Sequence, residues 1–104
     1  MKHVRIAFYD LTRGTFDELI ALVQQPGGML DAFRRSPGFV SYGVADTGDT
    51  TLASITIWDT HADAEAAVAV AKEWVAANVA DRVTLTANRV GDLAFLESAA
   101  LVTA

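Results

Sequence analysis

Three side chains that could bind a ligand alternate along one run of β-branched and aromatic residues. Ser54, Thr56 and Trp58 lie two positions apart within residues 50–58. Successive side chains of a strand point to opposite faces, so these three share one face. Two hydroxyls and an indole N–H could bind an oxygen-bearing ligand there. The competing interpretation is that Thr favours strands and that Trp58 is a large core residue.

A second group lies near the N-terminus. His3, Arg5 and Tyr9 fall on one face of the alternating run 3–10. A cation and a phenol could hold an anionic phenolate or carboxylate. Toward such a ligand the protein would contribute deprotonation, charge stabilisation and exclusion of water. The alternative is ordinary strand exposure or an interface ion pair.

The remaining candidates have weaker support. Trp74 lies beside the apolar stripe of a predicted helix and is either core or a ligand wall, and Tyr42 is a similar case. His61 is predicted to be a surface residue in the first turn of that helix. It has no second ligand at helical spacing, so we predict no metal site. The absence of Cys excludes disulfides, thiolate sites and Cys nucleophiles. The sequence also contains no recognisable Ser–His–Asp constellation or phosphate-binding glycine loop.

The elements that position these residues follow from periodicity and capping. Thr15 and Glu18 match a capping box, Pro26 to Gly28 must break or kink the helix that follows, and Thr60 is a plausible N-cap. Residues 46–49 supply turn chemistry between two strands. Residues 83–86 are either a short strand or an extended loop. We predict strands at 3–10, 39–45, 50–58 and 89–96, and helices within 15–35 and at 61–78.

Composition limits the class of protein. The chain has 104 residues, a net charge of −5 and 52% hydrophobic residues, which fits one domain that can bury a core. The acidic balance argues against nucleic acid as a partner, since phosphate binding needs clustered Lys and Arg. No apolar run reaches the roughly 18 residues of a membrane helix. No apolar stretch typical of a signal peptide follows Met1, so we expect a soluble cytoplasmic protein with no membrane partner.

The predicted order β-α-β-β-α-β is typical of an α+β, ferredoxin-like fold, with two helices on one face of an antiparallel sheet. The other face carries few charges and needs cover. Packing against the sheet of a second copy provides it by symmetry, so we expect a homodimer. The apolar tail 97–104 either contacts a partner or is loose.

Two segments resemble a known family. Residues 36–42, SPGFVSY, resemble the "PGF" entry into the second strand of antibiotic biosynthesis monooxygenase-like proteins. Residues 55–60, ITIWDT, resemble that family's strand end, and an Ala-rich helix follows in both. The resemblance covers about residues 4–95. It implies that residues 1–104 are one such domain, that two copies form a dimeric α/β barrel, and that ligands sit between helices and sheet.

The resemblance also implies candidate activities. The family includes cofactor-independent oxygenases of electron-rich aromatic polyketides, quinol oxygenases and haem-degrading oxygenases. Trp58 matches the pocket-lining Trp of the polyketide oxygenases, whereas Ser54 and Ala64 stand where those enzymes have Asn and Tyr. The haem-binding His late in the second helix has no counterpart. The resemblance thus implies, as one candidate function, a monooxygenase that uses no cofactor and acts on an electron-rich aromatic or quinol-type molecule. The alternatives are a non-enzymatic module that binds a small apolar ligand, and a structural dimer.

Overall fold

A computed structural model describes residues 2–97 and shows a ferredoxin-like α+β fold. All neighbouring strands of the four-stranded sheet are antiparallel, in the order β2-β3-β1-β4. The elements are β1 (His3–Leu11), α1 (Phe16–Gln24), α2 (Met29–Arg34), β2 (Phe39–Gly48), β3 (Thr51–Trp58), α3 (His61–Asn78) and β4 (Val83–Asp92). The predicted order of strands and helices is confirmed. The apolar tail expected to contact a partner lies, from residue 98 onward, outside the described residues.

The helices begin where the sequence predicts. The Thr15 hydroxyl accepts a hydrogen bond from Glu18 N at 3.1 Å, and Glu18 Oε1 accepts one from Thr15 N at 2.9 Å. Thr60 caps α3 by accepting from Asp63 N at 3.1 Å. The Pro-Gly-Gly segment breaks the first helix into α1 and α2. At Gly28 a Cβ would lie 2.5 Å from the carbonyl oxygen of Val23, so only glycine fits this connection.

Two predicted boundaries are wrong. β2 continues through Gly48, and the turn is formed by Asp49 and Thr50, both with left-handed φ (50° and 60°). The last strand is Val83–Asp92 and not 89–96. A bulge explains the second error. Tyr9 pairs with Leu85 while Phe8 pairs with Ala87, so Thr86 is an extra residue that interrupts the alternation.

All three helices cover one face of the sheet, which we call the inner face. Its strand residues include Ala7, Tyr9 and Leu52, which are at most 8% exposed and pack with Leu19 of α1 and Val79. Buried alanines on α3 let that helix approach the sheet closely; they are Ala64, Ala67 and Ala71. A second cluster surrounds Phe33 and Trp58, both fully buried.

The opposite, outer face of the sheet is mainly apolar, with the exposed Arg89 beside Ile6, and carries no helix in the described part of the chain. Cross-strand neighbours there are Ile6 with Ile55 and Phe8 with Ala53. Phe8 is 42% exposed and Ile55 39%. Within residues 2–97, no helix has the length and apolar character needed to cross a membrane.

Candidate functional site

The inner face of the sheet arranges the candidate residues in rows that cross the strands. Antiparallel register places Arg5 opposite Thr56, and Thr56 opposite Tyr42. The next row joins Asn88, Ala7, Ser54 and Val44. Because partners in a row share a face, Tyr42 and Ser54 are diagonal neighbours on adjacent strands. The inner face therefore brings the two predicted groups, from β1 and from β3, together.

A cavity of about 30 Å³ lies between this face and the helices α1 and α3. Its walls are mainly aliphatic, and its side-chain hydroxyls come from Tyr9, Tyr42 and Ser54. Trp74 of α3 closes the side opposite the sheet. The volume holds water but not an aromatic ring. Three of the predicted pocket residues, Tyr9, Ser54 and Trp74, thus line one cavity.

A larger hollow of about 240 Å³ adjoins this cavity at the edge of β2. Both spaces share the walls Ile20, Val23, Tyr42 and Val44. The remaining walls of the hollow include Gln24 at the end of α1 and Leu30 in α2. These four shared side chains separate the two spaces.

Tyr42 is the most perturbed group in this region. Burial raises its pKa from 10.0 to about 12, while the neighbouring Ser54 hydroxyl and the positive charge of Arg5 act in the opposite direction. The ring packs edge to face on Phe33, with centroids 4.9 Å apart. The phenol is therefore neutral at physiological pH and acts as a hydrogen-bond donor, not as a base. Sequence patterns do not distinguish Tyr42 from the other aromatic residues, because they do not show how far a side chain is buried.

Arg5 is a buried cation, with 1% of its surface exposed. Its Nε donates a 2.7 Å hydrogen bond to Asn88 Oδ1. No carboxylate oxygen of residues 2–97 lies within 4.0 Å of its guanidinium nitrogens. The alternative of ordinary strand exposure is wrong for Arg5 and for Tyr9, which is 8% exposed. The sequence missed Asn88, because it follows the bulge that hides the phase of β4.

Thr56 and Trp58 are fully buried but do not line the cavity. Trp58 contacts Phe33 and Phe39 edge to face, each with a centroid distance of 5.7 Å. Thr56 Oγ1 and Trp58 Nε1 have no hydrogen-bond partner in the described chain. Unpaired buried polar atoms are uncommon and mark places where water or a ligand can bind. Three of the six predicted site residues therefore line the cavity. The other three, Arg5, Thr56 and Trp58, lie in neighbouring rows of the inner face.

The arrangement can stabilise negative charge on a bound oxygen atom. Hydroxyl donors line the cavity and a guanidinium lies in the next row of the sheet. Neither a histidine nor a carboxylate belongs to the described cavity wall. His3 shares the inner face but lies at the end of the sheet, opposite Trp58 and beside His61. The site offers donors without a general base.

Comparison with known proteins identifies the fold. No protein-family model matches the chain. No curated protein matches it either. Among solved structures, SnoaB, a cofactor-independent oxygenase from Streptomyces nogalater, superposes with a TM-score of 0.70 at 15% identity, over 91% of this chain and 95% of that one.

Two further solved structures are similar to this chain in fold. A candidate antibiotic biosynthesis monooxygenase from Chloroflexus aurantiacus gives a TM-score of 0.67 at 17% identity, over 94% of this chain and 98% of that one. A dimeric ferredoxin-like protein from an uncultured marine organism gives 0.71 at 10% identity, over 95% and 100%. The resemblance inferred from the two sequence segments is confirmed at the level of the fold: this chain is folded like antibiotic biosynthesis monooxygenase-like proteins.

Proposed function

We propose that the protein is a cofactor-independent monooxygenase that oxidises an electron-rich aromatic or quinol-type small molecule between the inner face and the helices. The observation that carries this proposal is the placement of two neutral hydroxyl groups, those of the partly buried Tyr42 and the buried Ser54, at a cavity with the Arg5 cation in the adjoining row. The shared fold with SnoaB, a cofactor-independent oxygenase, supports it.

The chemistry that fits these donors is oxidation of an activated methylene or phenol. A hydrogen bond from Tyr42 or Ser54 to the substrate's carbonyl oxygen favours the enolate, and the Arg5 charge adds to that effect. Oxygen accepts electrons from the enolate, forms a peroxide at the ring carbon, and the peroxide loses water. For an anthrone, the methylene becomes a carbonyl that holds one oxygen atom. The other oxygen atom leaves as water with both hydrogens. The first proton passes to solvent, since the described wall holds no base.

Substrate binding requires the pocket to expand. Ligand sites for drug-sized molecules are typically about 300–1,000 Å³. The cavity of about 30 Å³ is too small alone, and the adjoining hollow of about 240 Å³ supplies most of the missing space. We propose that movement of the shared wall side chains Ile20, Val23 and Val44 joins the two spaces when a substrate binds.

The test is oxygen uptake with anthrones and naphthalene diols in buffer treated with a chelator. Ser54→Ala and Tyr42→Phe each remove one donor, and we expect kcat/KM to fall by about 10²–10³. Ser41→Ala is the matched control, since Ser41 pairs with Ile57 on the outer face. Loss of activity confined to the inner-face variants supports the proposal. A broad panel of such compounds without turnover contradicts it.

A non-enzymatic binding module is the second candidate. It is favoured by one observation, the absence of a base from the described cavity wall. The same aromatic compounds would then bind without being consumed. Quenching of Trp74 fluorescence without oxygen uptake supports this function and contradicts the first, and Trp74→Phe identifies which tryptophan reports. We further propose that residues 1–104 form one domain and that the protein is cytoplasmic.

We also propose that the outer face pairs two copies of the chain into a homodimer. The face presents the cross-strand neighbours Val4–Ile57, Ile6–Ile55 and Phe8–Ala53. Burying such a surface against an identical one removes apolar area from water without a second kind of partner. Ile55→Lys should convert a dimer into a monomer in sedimentation equilibrium, whereas Glu73→Lys on the exposed side of α3 should not. A monomeric wild type at micromolar concentration would contradict the proposal.

A further inference from the structure

The two histidines of the chain meet at one end of the sheet. The imidazole centroids of His3 and His61 lie 5.5 Å apart, with the rings at 82°. A nitrogen of each ring and a carboxylate oxygen of Asp92 all lie within 4.8 Å of one another. The sequence prediction considered only helical spacing from His61, so it could not include His3 and Asp92, which come from other elements.

The fold fixes all three positions. His3 pairs with Asp92 across β1 and β4, and with Trp58 across β1 and β3. His61 begins α3 three residues after Trp58, directly behind the Thr60 cap. The three side chains are therefore carried by two strand ends and a capped helix start. Such anchoring places ligands before an ion binds and lowers the conformational cost of binding.

His3 and Asp92 are in direct contact. His3 Nδ1 lies 2.7 Å from Asp92 Oδ1. Nδ1 is nevertheless buried without a hydrogen bond of acceptable geometry in the described chain. Two ligand atoms of one tetrahedral Zn²⁺ lie about 3.3 Å apart, so binding of an ion through both atoms requires a small rotation of the exposed Asp92 side chain.

Some neighbouring charges oppose the binding of a cation at this cluster, and others favour it. The N-terminal end of α3 carries a partial positive charge that disfavours a cation near His61. Lys2, the nearby ammonium, is paired with Asp59 at 2.8 Å. Glu65 Oε1 lies 3.3 Å from His61 Nε2 and can hold that ring in place or add a carboxylate. The acidic groups Asp92 and Glu65 offset the helix dipole.

We propose that His3, His61 and Asp92 form a binding site for a divalent transition-metal ion of the Zn²⁺ type, at the end of the sheet and apart from the cavity. Two imidazoles and a carboxylate are a common zinc donor set, and the fourth position stays open for water or a small anion. This site is independent of the proposed oxygenase, which uses no metal.

Zn²⁺ is the probe, because it accepts a tetrahedral nitrogen and oxygen set, whereas Cu²⁺ and Ni²⁺ favour square-planar sites. In the absence of substrate, zinc is titrated into protein that carries no affinity tag. Binding is measured by calorimetry and by the NMR signals of the two imidazoles. We expect one ion per chain and shifts of both imidazoles. His61→Ala and Asp92→Asn should each weaken binding by about tenfold or more.

Asp59→Asn is the matched control, since Asp59 is an exposed acid that lies outside the cluster and pairs with Lys2. It should leave the zinc affinity unchanged. The side chains of His61 and Asp92 are 58% and 61% exposed, so their variants should keep the fold, which circular dichroism checks. Absence of any imidazole shift overturns the site, as does zinc affinity that survives both His61→Ala and Asp92→Asn.

Discussion

The buried guanidinium of Arg5 leads to an unusual prediction: its removal should not destabilise the protein. Arg5→Met keeps a long side chain in the space between sheet and helices and deletes the charge. Arg5 is 1% exposed and donates one hydrogen bond, to a neutral amide. A charge buried in this way, without a carboxylate among residues 2–97 to compensate it, is held for a reason other than stability.

The expected change in the free energy of unfolding on Arg5→Met is the sum of opposing contributions. Desolvation of a buried ion costs several kcal/mol even after relaxation of its surroundings. The hydrogen bond to Asn88 offsets about 1.5–3 kcal/mol of this cost, a range that is typical of a hydrogen bond that involves a charged group. Replacement of buried ionic groups by apolar residues of similar volume is neutral or stabilising by about 1–4 kcal/mol. We therefore expect Arg5→Met to leave the free energy of unfolding unchanged or to raise it within that range.

A double-mutant cycle with Asn88→Ala separates the hydrogen bond from the desolvation cost. In the wild-type background, Asn88→Ala leaves Nε without an acceptor and should cost about 1.5–3 kcal/mol. In the Arg5→Met background the same change should cost less than about 1 kcal/mol, because no charged donor remains. The assay is urea unfolding followed by circular dichroism, at equal subunit concentrations since association adds to stability.

Two results would refute this reasoning. If Arg5→Met lowers the free energy of unfolding by more than about 2 kcal/mol, the guanidinium contributes to the core through partners stronger than Asn88. If the two substitutions are additive, Asn88 does not bind Arg5 in solution. If instead the variant is stable but no longer oxidises or binds the aromatic probe, the charge serves the site.

Three further predictions concern other parts of the inner face and its supports. Thr56→Val replaces a buried, unpaired hydroxyl by a methyl group of equal size and should stabilise the protein by about 1 kcal/mol; a loss of that size in urea unfolding would show that the hydroxyl is bonded. Thr15→Ala removes the α1 cap and should cost about 1 kcal/mol, whereas Thr15→Ser should keep most of it in the same assay. Because the pKa of Tyr42 is raised from 10.0 to about 12, the unfolded chain loses this proton first, so stability should hold below pH 10 and fall between pH 10 and 12. Tyr42→Phe should not show this loss of stability between pH 10 and 12. If its stability depends on pH as that of the wild type does, burial does not raise the pKa of Tyr42.

The fold was predictable because local signals agree with the tertiary arrangement. Thr15 and Thr60 are caps in the sequence and in the structure, and the Pro-Gly-Gly break separates two helices. Local signals are set by residues that contact one another along the chain, so periodicity and capping reveal them. The turn was misplaced by a few residues because Thr50, a β-branched residue, adopts a left-handed φ of 60° that its type rarely adopts.

The candidate site was predictable only in part. The sequence groups Arg5 with Tyr9 and Ser54 with Thr56 from alternation within each strand, and the structure confirms both groupings on the inner face. Alternation alone does not say which face a helix covers, so exposure of the first group stayed an open alternative. The pairing of His3 with Asp92 depends on register between distant segments, which no local pattern encodes.

The bulge at Thr86 determines the positions of both Asn88 and Asp92. If β4 paired regularly from Val83 onward, Asn88 would lie opposite Ile6 on the outer face, and Asp92 would follow it there. The extra residue shifts the phase by one, so Asn88 pairs with Ala7 and Asp92 with His3. The same irregularity that obscures the last strand in the sequence thus places an acceptor beside Arg5 and a carboxylate beside His3. Bulges commonly redirect side chains near functional sites. Here one bulge supplies polar partners both to the candidate pocket and to the proposed metal site.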